Sequence, residues 1–368
     1  MRWGVLYILF SSLFFSTNIS AQSVPFSQGK WVKIAVSKQG FYQVTGSQLK
    51  TWGLTVPFAS SQLQLFNLNT ANLVEKVTAN MGVGLNENAI EVQDGGDGQF
   101  DNQDYFLFYS QGNIQWKWNG VQQLFEHSKN AHGDSVYYFI SLGKEGKRIQ
   151  KAKSDKIANA TSDIFDERWV MEKDTLNILN SGQIWWGPAM GLGVGKQAKI
   201  TTPLNMEGLV SQSDLIFKLN YAAASTANAA NFEITLNDQK LRTTVVAPIS
   251  GYIYDDAANL VLDTFRIPLP NNLMNSNLIS ANLSVGYSSA NTNSTGWINY
   301  ITLQAKRKLG FYGGAKSLGF RNTSLVGTGK IIQYQIKDAD ASTKIWEVTQ
   351  PENPVEMTSN FQNGVTSF

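Results

Sequence analysis

Apolar side chains recur at every second position through most of the chain, a period that belongs to half-buried β-strands. Val32, Ile34 and Val36 alternate with polar or small neighbours, as do Leu63 with Leu65 and Ile90 with Val92. Tyr105 to Tyr109 is a continuous apolar run, short enough to predict a strand buried on both faces. Trp116-Lys117-Trp118, then Asn119-Gly120, then Val121 to Phe125 predicts a hairpin with a two-residue turn. Val136 to Leu142 predicts a further strand. No stretch sustains a helical period; Gly46 to Trp52 predicts one short helix, with Ser47 as its cap.

The pattern lapses between Lys144 and Ala160, a stretch of Lys, Ser, Ala and Asn that reads as a domain boundary. A second block begins near Asp163. Leu215 to Tyr221, Phe232 to Leu236 and Leu283 to Tyr287 alternate cleanly, and Trp297 to Leu303 is a longer strand. Strands at this spacing without intervening helices predict an all-β fold. It comprises two successive β domains, residues 22–160 and 161–344, the second a jelly-roll-like sandwich. Strand signals continue at Ile332 to Ile336 and Ile345 to Val348, followed by Pro351, Pro354 and an Asn363-Gly364 turn. Residues 345–368 therefore read as a truncated lead-in to a further domain.

The first residues change the picture of compartment. Met1-Arg2, a mostly apolar stretch from Val5 to Phe15, and Ile-Ser-Ala ending at Ala21 form a signal-peptide layout, residues 1–21. The apolar stretch is shorter than the about 20 residues that span a bilayer. Export through the inner membrane to the periplasm or the outer-membrane surface is expected, with no transmembrane segment after cleavage. Composition adds exclusions. Zero cysteines in 368 residues rule out disulfides, a thiolate nucleophile and thiolate metal sites in this chain. A net charge of +2 with no basic stripe makes nucleic acid an unexpected partner. Apolar residues at 42% with charged residues at only 16% mark a globular, not a disordered, chain.

The densest candidate chemistry is acidic. Asp94, Asp97, Asp101 and Asp104 lie on a Gly-rich stretch and offer hard oxygen ligands for a structural Ca²⁺. The alternative is a polar turn whose aspartates bind local backbone N–H groups. His127 and His132, beside Glu126 and Asp134, lack an evident third zinc ligand. Gly191-Leu192-Gly193-Val194-Gly195 lacks the Lys-Ser/Thr of a phosphate loop. Trp116 with Trp118, or Trp185 with Trp186, are candidates for a sugar-stacking platform or for core packing.

Several segments, in order, carry a family resemblance. They are Gly29-Lys30-Trp31-Val32-Lys33-Ile34 with Gly40-Phe41-Tyr42, and Asp97-Gly98-Gln99-Phe100-Asp101 leading into Asp104 to Tyr109. His127 to Asn130 with Tyr137-Tyr138-Phe139, Ser181-Gly182-Gln183-Ile184-Trp185-Trp186-Gly187, Trp297 to Ile301 with Arg307 and Leu309, and Trp346 to Thr349 with Pro351 and Pro354 continue it. The set resembles the N-terminal region of the sortases of the type IX secretion system, cysteine peptidases of the gingipain class. The resemblance implies a parent that removes C-terminal secretion signals from cargo and joins cargo to lipopolysaccharide. Its implied partners are secretion components and cargo signal domains. That chemistry needs a Cys and a His in a caspase-like domain; this chain has no Cys, so it is expected to scaffold or dock a peptidase without catalysing. The alternative is a stand-alone secreted glycan-binding β-sandwich protein. Mass spectrometry of the exported protein checks the leader: the expected mature N-terminus is Gln22.

Overall fold

The structure, a computed structural model, describes residues 26, 29–68, 84–130, 132–152, 156–178, 184–205, 207–269 and 281–368. The expected signal peptide, residues 1–21, and Ser181 to Gln183 lie outside the described residues. As expected, the fold is all-β, built of several mainly antiparallel sheets, with one short α-helix.

The first part runs β1 (Val32–Val36), β2 (Gly40–Thr45), α1 (Gly46–Thr51), β3 (Phe58–Ala59), β4 (Leu63–Asn67), β5 (Asn86–Asn88), β6 (Glu91–Gln93), β7 (Gln99–Phe100), β8 (Tyr105–Ser110), β9 (Ile114–Asn119), β10 (Leu124–Lys129) and β11 (Val136–Leu142). A sheet ordered β1-β11-β4-β5 and another ordered β2-β8-β6 enclose a core of Leu63, Leu65, Phe106, Phe108 and Ile140. The run in β8 is less buried than its composition predicts. Phe106, Phe108 and Tyr109 are buried, while Tyr105 and Leu107 are half-buried, because only one face of this sheet lies wholly on the core.

Two local expectations are corrected. Thr45, not Ser47, caps α1: its hydroxyl accepts from Gln48 N–H at 3.2 Å, and Gln48 Oε1 accepts from Thr45 N–H at 2.8 Å. This reciprocal capping box is written as Thr45-Gly46-Ser47-Gln48. Ser47 instead donates its hydroxyl to Asn102 O at 2.8 Å. The β9–β10 hairpin forms, but Asn119 pairs with Leu124, so four residues connect the strands. Asn119 shapes this turn through its side chain, whose oxygen accepts from Val121 and Gln122 N–H at 3.0 and 3.1 Å. Positive φ falls on Gln123 (52°).

Between the parts lie β12 (Gln150–Ala152) and β13 (Ala160–Ser162). Eight strands follow: β14 (Ile164–Glu172), β15 (Lys199–Leu204), β16 (Asp214–Ala224), β17 (Ala230–Leu236), β18 (Gln239–Val246), β19 (Asn259–Pro268), β20 (Ala281–Ser289) and β21 (Thr295–Lys308). They form two antiparallel sheets, β14-β21-β16-β19 and β15-β20-β17-β18, the strand order of a jelly roll. Their inner faces bury Phe217, Tyr221, Phe232, Ile234 and Leu283. Tyr221 stacks on Phe232 at 4.6 Å, and Phe217 on Phe265 at 5.0 Å.

The last part holds β22 (Ile332–Lys337), β23 (Ile345–Glu347), β24 (Val355–Met357), β25 (Asn360–Gln362) and β26 (Val365–Ser367). β12 pairs parallel with β24, and β13 parallel with β22. Residues on either side of the sandwich in sequence thus share two small sheets, over a core of Ile336, Ala339 and Ile345 with Phe320, Met357 and Phe368. The Asn363-Gly364 turn forms as predicted: φ is 52° and 76°, and Gln362 pairs with Val365.

Gly46 starts α1 where a Cβ would lie 1.7 Å from Asp101 O. Gly46→Ala is therefore expected to lower stability by about 2 kcal/mol, or about 4–8 °C in thermal midpoint. Gly133→Ala, at a position where a Cβ meets nothing within 4 Å, is expected to leave the midpoint unchanged in the same melt.

Candidate docking cleft

The outer face of the β14-β21-β16-β19 sheet carries polar side chains that hold the β9–β10 hairpin against it. Gln304 on β21 accepts from Phe125 N–H at 2.7 Å and donates to Phe125 O at 2.8 Å, adding a side-chain amide to the free backbone of β10. His127 Nε2 lies 2.8 Å from Glu172 Oε2, both largely buried, with the imidazole edge-on to Tyr300. Lys218 donates to Glu126 at 2.6 Å, and Lys129 to Asp174 at 2.6 Å. Arg266 donates to the backbone oxygens of Gln122 and Gln123 at 2.8 and 2.9 Å.

The free edge of β14 is covered from the other side. Asp166, only 8% exposed, accepts from Thr323 N–H at 2.6 Å and Thr323 Oγ1 at 2.8 Å, and pairs with Lys306. Its own N–H donates to Arg321 O at 2.7 Å. Asn322, also buried, donates to Ile164 O at 3.1 Å. Arg321 and Asn322 are thereby laid beside β14, and a short 3-10 turn, Thr323–Leu325, starts where Asp166 receives Thr323.

These two attachments leave a cleft of about 1520 Å³ where the three parts meet. Trp116, Trp118 and Phe125 form the hairpin wall; Phe41 and Tyr109 come from the first part; Phe320, Trp346 and Phe368 come from the last. Trp346 meets Phe41 edge-on at 4.8 Å, and its buried indole N–H has no acceptor.

Two guanidiniums line this aromatic cleft. Arg168, on β14, lies 5.3 Å from the Trp116 ring and 5.1 Å from the Phe125 ring. Burial, and then repulsion from Arg321, pushes its pKa down to about 9, so it remains charged at neutral pH. Burial lowers the Arg321 pKa as well. Among the described residues neither makes an ion pair with a carboxylate. The adjacent Glu167 is taken by Arg307 at 2.5 Å. Tyr109 is pushed up by burial, while Gln39 donates to its hydroxyl at 2.5 Å. Such a surface can hold an anionic, partly apolar element; it offers no thiol to attack a carbonyl.

The acidic stretch sits elsewhere. Asp94, Asp97 and Asp101 each accept from a backbone N–H two residues on, at 3.0, 2.8 and 2.7 Å, and Asp104 accepts from Asp101 N–H at 2.6 Å. The Ser60 hydroxyl, with Gly96 N–H, holds the Asp94 carboxyl below the usual range. Among the described residues no three His, Asp or Glu side chains converge as metal ligands. His132 is exposed and forms no zinc set with His127. Trp186 is buried (4% exposed) beside an exposed Trp185 (42%), so that pair presents no joint platform. Trp116 and Trp118 do share the cleft, as their spacing allows. Arg168 and Arg321 carried no signal in the sequence, since only folding brings positions so far apart together.

The fold thus defines a class, an all-β, multi-domain chain with a jelly-roll sandwich at its centre. Within that class it is similar to the crystal structure of dimeric latent PorU from Porphyromonas gingivalis, with a TM-score of 0.71 and 18% identity over 93% of this chain. The chain spans 30% of the length of that PorU chain. Weaker likenesses are the Arthrobacter globiformis isomalto-dextranase complexed with panose and the insecticidal delta-endotoxin Cry8Ea1 from Bacillus thuringiensis. Each has a TM-score of 0.23 and 8% identity; they cover 74% and 75% of this chain and 34% and 53% of their own, and carry no argument. No protein-family model and no curated protein matches the chain. Among the described residues no helix is long and apolar enough to cross a membrane.

Two outcomes follow from this geometry. Thermal melts in 1 mM Ca²⁺ and in excess EDTA test the two readings of the acidic stretch: an unchanged midpoint is expected of a turn held by backbone N–H groups, a midpoint raised by Ca²⁺ of a structural Ca²⁺ site. The hairpin attachment is expected to weaken in acid. The Lys218 ammonium bound to Glu126 holds that carboxyl below its ordinary pKa of 4.5. Its contribution is full above pH 4.5 and is lost as pH falls through the lowered value. Protection of the Leu124 to Lys129 amides against exchange should fall below that point, and Glu126→Gln should reduce this acid dependence, the pairs of Glu172 and Asp174 supplying the rest.

Proposed function

We propose that this chain is the non-catalytic β region of a type IX secretion sortase, and that the cleft docks the gingipain-like cysteine peptidase of the same polypeptide. The observation that carries the reading is the agreement in fold with PorU over 93% of the chain. The absence of cysteine supports a holding and not a cutting role for this region. The cleft supports docking because its volume exceeds the about 300–1,000 Å³ of small-molecule sites. Aromatic walls with arginines that make no direct ion pair are also the composition of protein-interface hot spots. In this reading the leader exports the chain to the periplasm or outer-membrane surface. The parent trims cargo signals and transfers cargo to lipopolysaccharide.

Calorimetric titration of the chain with the separately produced peptidase domain tests this. Association at micromolar Kd or tighter is expected, weakened at least tenfold in Arg168→Met/Arg321→Met. The thermal midpoint of that variant should be unchanged or raised, because methionine keeps the packing and removes two repelling charges. Absence of association, together with binding of oligosaccharides to the chain alone, would establish the glycan-binding alternative instead.

A further inference from the structure

One end of the sandwich is closed by four loops, residues 190–198, 225–229, 247–258 and 290–294, laced edge to edge. Met190 and Gly296 exchange backbone hydrogen bonds at 2.8 and 3.0 Å. Lys196 Nζ donates to Ser294 O at 2.9 Å and Asn293 O at 3.3 Å. Asn291 donates to Thr226 O at 3.2 Å, and Ile249 N–H to Ser225 O at 2.9 Å.

Two of these loops end in apolar tips. In the first, Leu192 is 72% exposed and Val194 fully so, each set between glycines. Gly191 has φ of +148°, and a Cβ there would meet Ser294 O at 2.9 Å, so the turn holds its shape close against the sandwich end. In the second, Ile253 is 87% exposed between Tyr252 (69%) and Tyr254 (87%). This tip is also ordered: Ser250 Oγ accepts from Tyr252 N–H at 3.0 Å and donates to Asp255 Oδ2 at 2.5 Å.

We propose that this end of the sandwich seats on a phospholipid bilayer, with Leu192, Val194 and Ile253 entering the acyl boundary and Tyr252 and Tyr254 at headgroup level. The shape favours lipid over protein. The five side chains stand on two separate protrusions and line no groove, whereas a protein interface needs a matched surface with a hydrogen-bonded rim. A bilayer accepts isolated apolar tips, and tyrosine is enriched at its interface. Of the nearest charges, Lys196 is half-buried and bound to carbonyls, whereas Asp255, although bonded to Ser250, is exposed. Exposed Asp256 disfavours an anionic headgroup, so the fitting surface is zwitterionic. The inference goes beyond the docking role and is independent of it.

Co-sedimentation with phosphatidylcholine vesicles tests the proposal. The mature protein should sediment with them, without dependence on salt. Leu192→Asp/Val194→Asp/Ile253→Asp should lower the bound fraction at least tenfold with an unchanged thermal midpoint, since all three residues are exposed. Ile253→Trp should show a blue shift of its emission on vesicle addition. Three results would each overturn the proposal: no sedimentation of the mature protein, equal sedimentation of the triple variant, or binding that needs phosphatidylglycerol and disappears in salt.

Discussion

A single buried carboxylate joins the sandwich to the end of the chain. Asp166 sits on the edge strand of a sheet, where unpaired backbone would otherwise face outward. Its side chain takes two donors from Thr323 and the Lys306 ammonium, and its backbone exchanges with Arg321. A buried carboxylate costs several kcal/mol unless it is paired and hydrogen-bonded. That requirement selects one placement of the 321–323 segment, the one in which both carboxylate oxygens are hydrogen-bonded. Arg321 then stands opposite Arg168, and Phe320 enters the core of the last part.

The hairpin on the neighbouring face follows the same logic with neutral groups. Gln304 satisfies both backbone groups of Phe125, as a sheet partner would. Around that contact the ion pairs of Lys218 and Lys129 are partly exposed, and exposed pairs add little stability singly. Their number and spread orient the hairpin more than they stabilise it. Orientation matters here because Trp116 and Phe125 are the rings that flank Arg168.

Against this careful satisfaction of polar groups, the Arg168–Arg321 pair stands out. Asp166, Glu167 and Asp263 all find cationic partners. Two mostly enclosed guanidiniums with no carboxylate in ion-pair contact, and only partial offset from nearby Glu167 and Asp166, are a local conflict, and such conflicts concentrate at functional sites. Cation–π contact with two rings offsets part of the cost for Arg168. In the proposed docking, an anion on the facing domain would relieve the remainder.

Most of the strands were legible because their signal is local. β1, β16, β17 and β20 are written in alternation, β8 in a short continuous apolar run, and the Asn363-Gly364 turn in residues that tolerate positive φ. The cap of α1 was also present as a Thr-x-x-Gln signature, although the Ser two positions on competes for the same reading. The hairpin turn misled because Asn119 has two uses, positive φ or an accepting side chain, and the chain takes the second.

By itself the sequence determined the all-β class, the strand positions and the absence of thiol chemistry, since alternation and composition need no knowledge of neighbours. Tertiary structure alone decided that residues 150–152 and 160–162 pair with 355–357 and 332–334 around the sandwich, and that β14 sets Arg168 near Arg321. It also decided that apolar tips from two loops share one end. Such features depend on which distant segments meet, and contact between distant segments leaves no period in the chain.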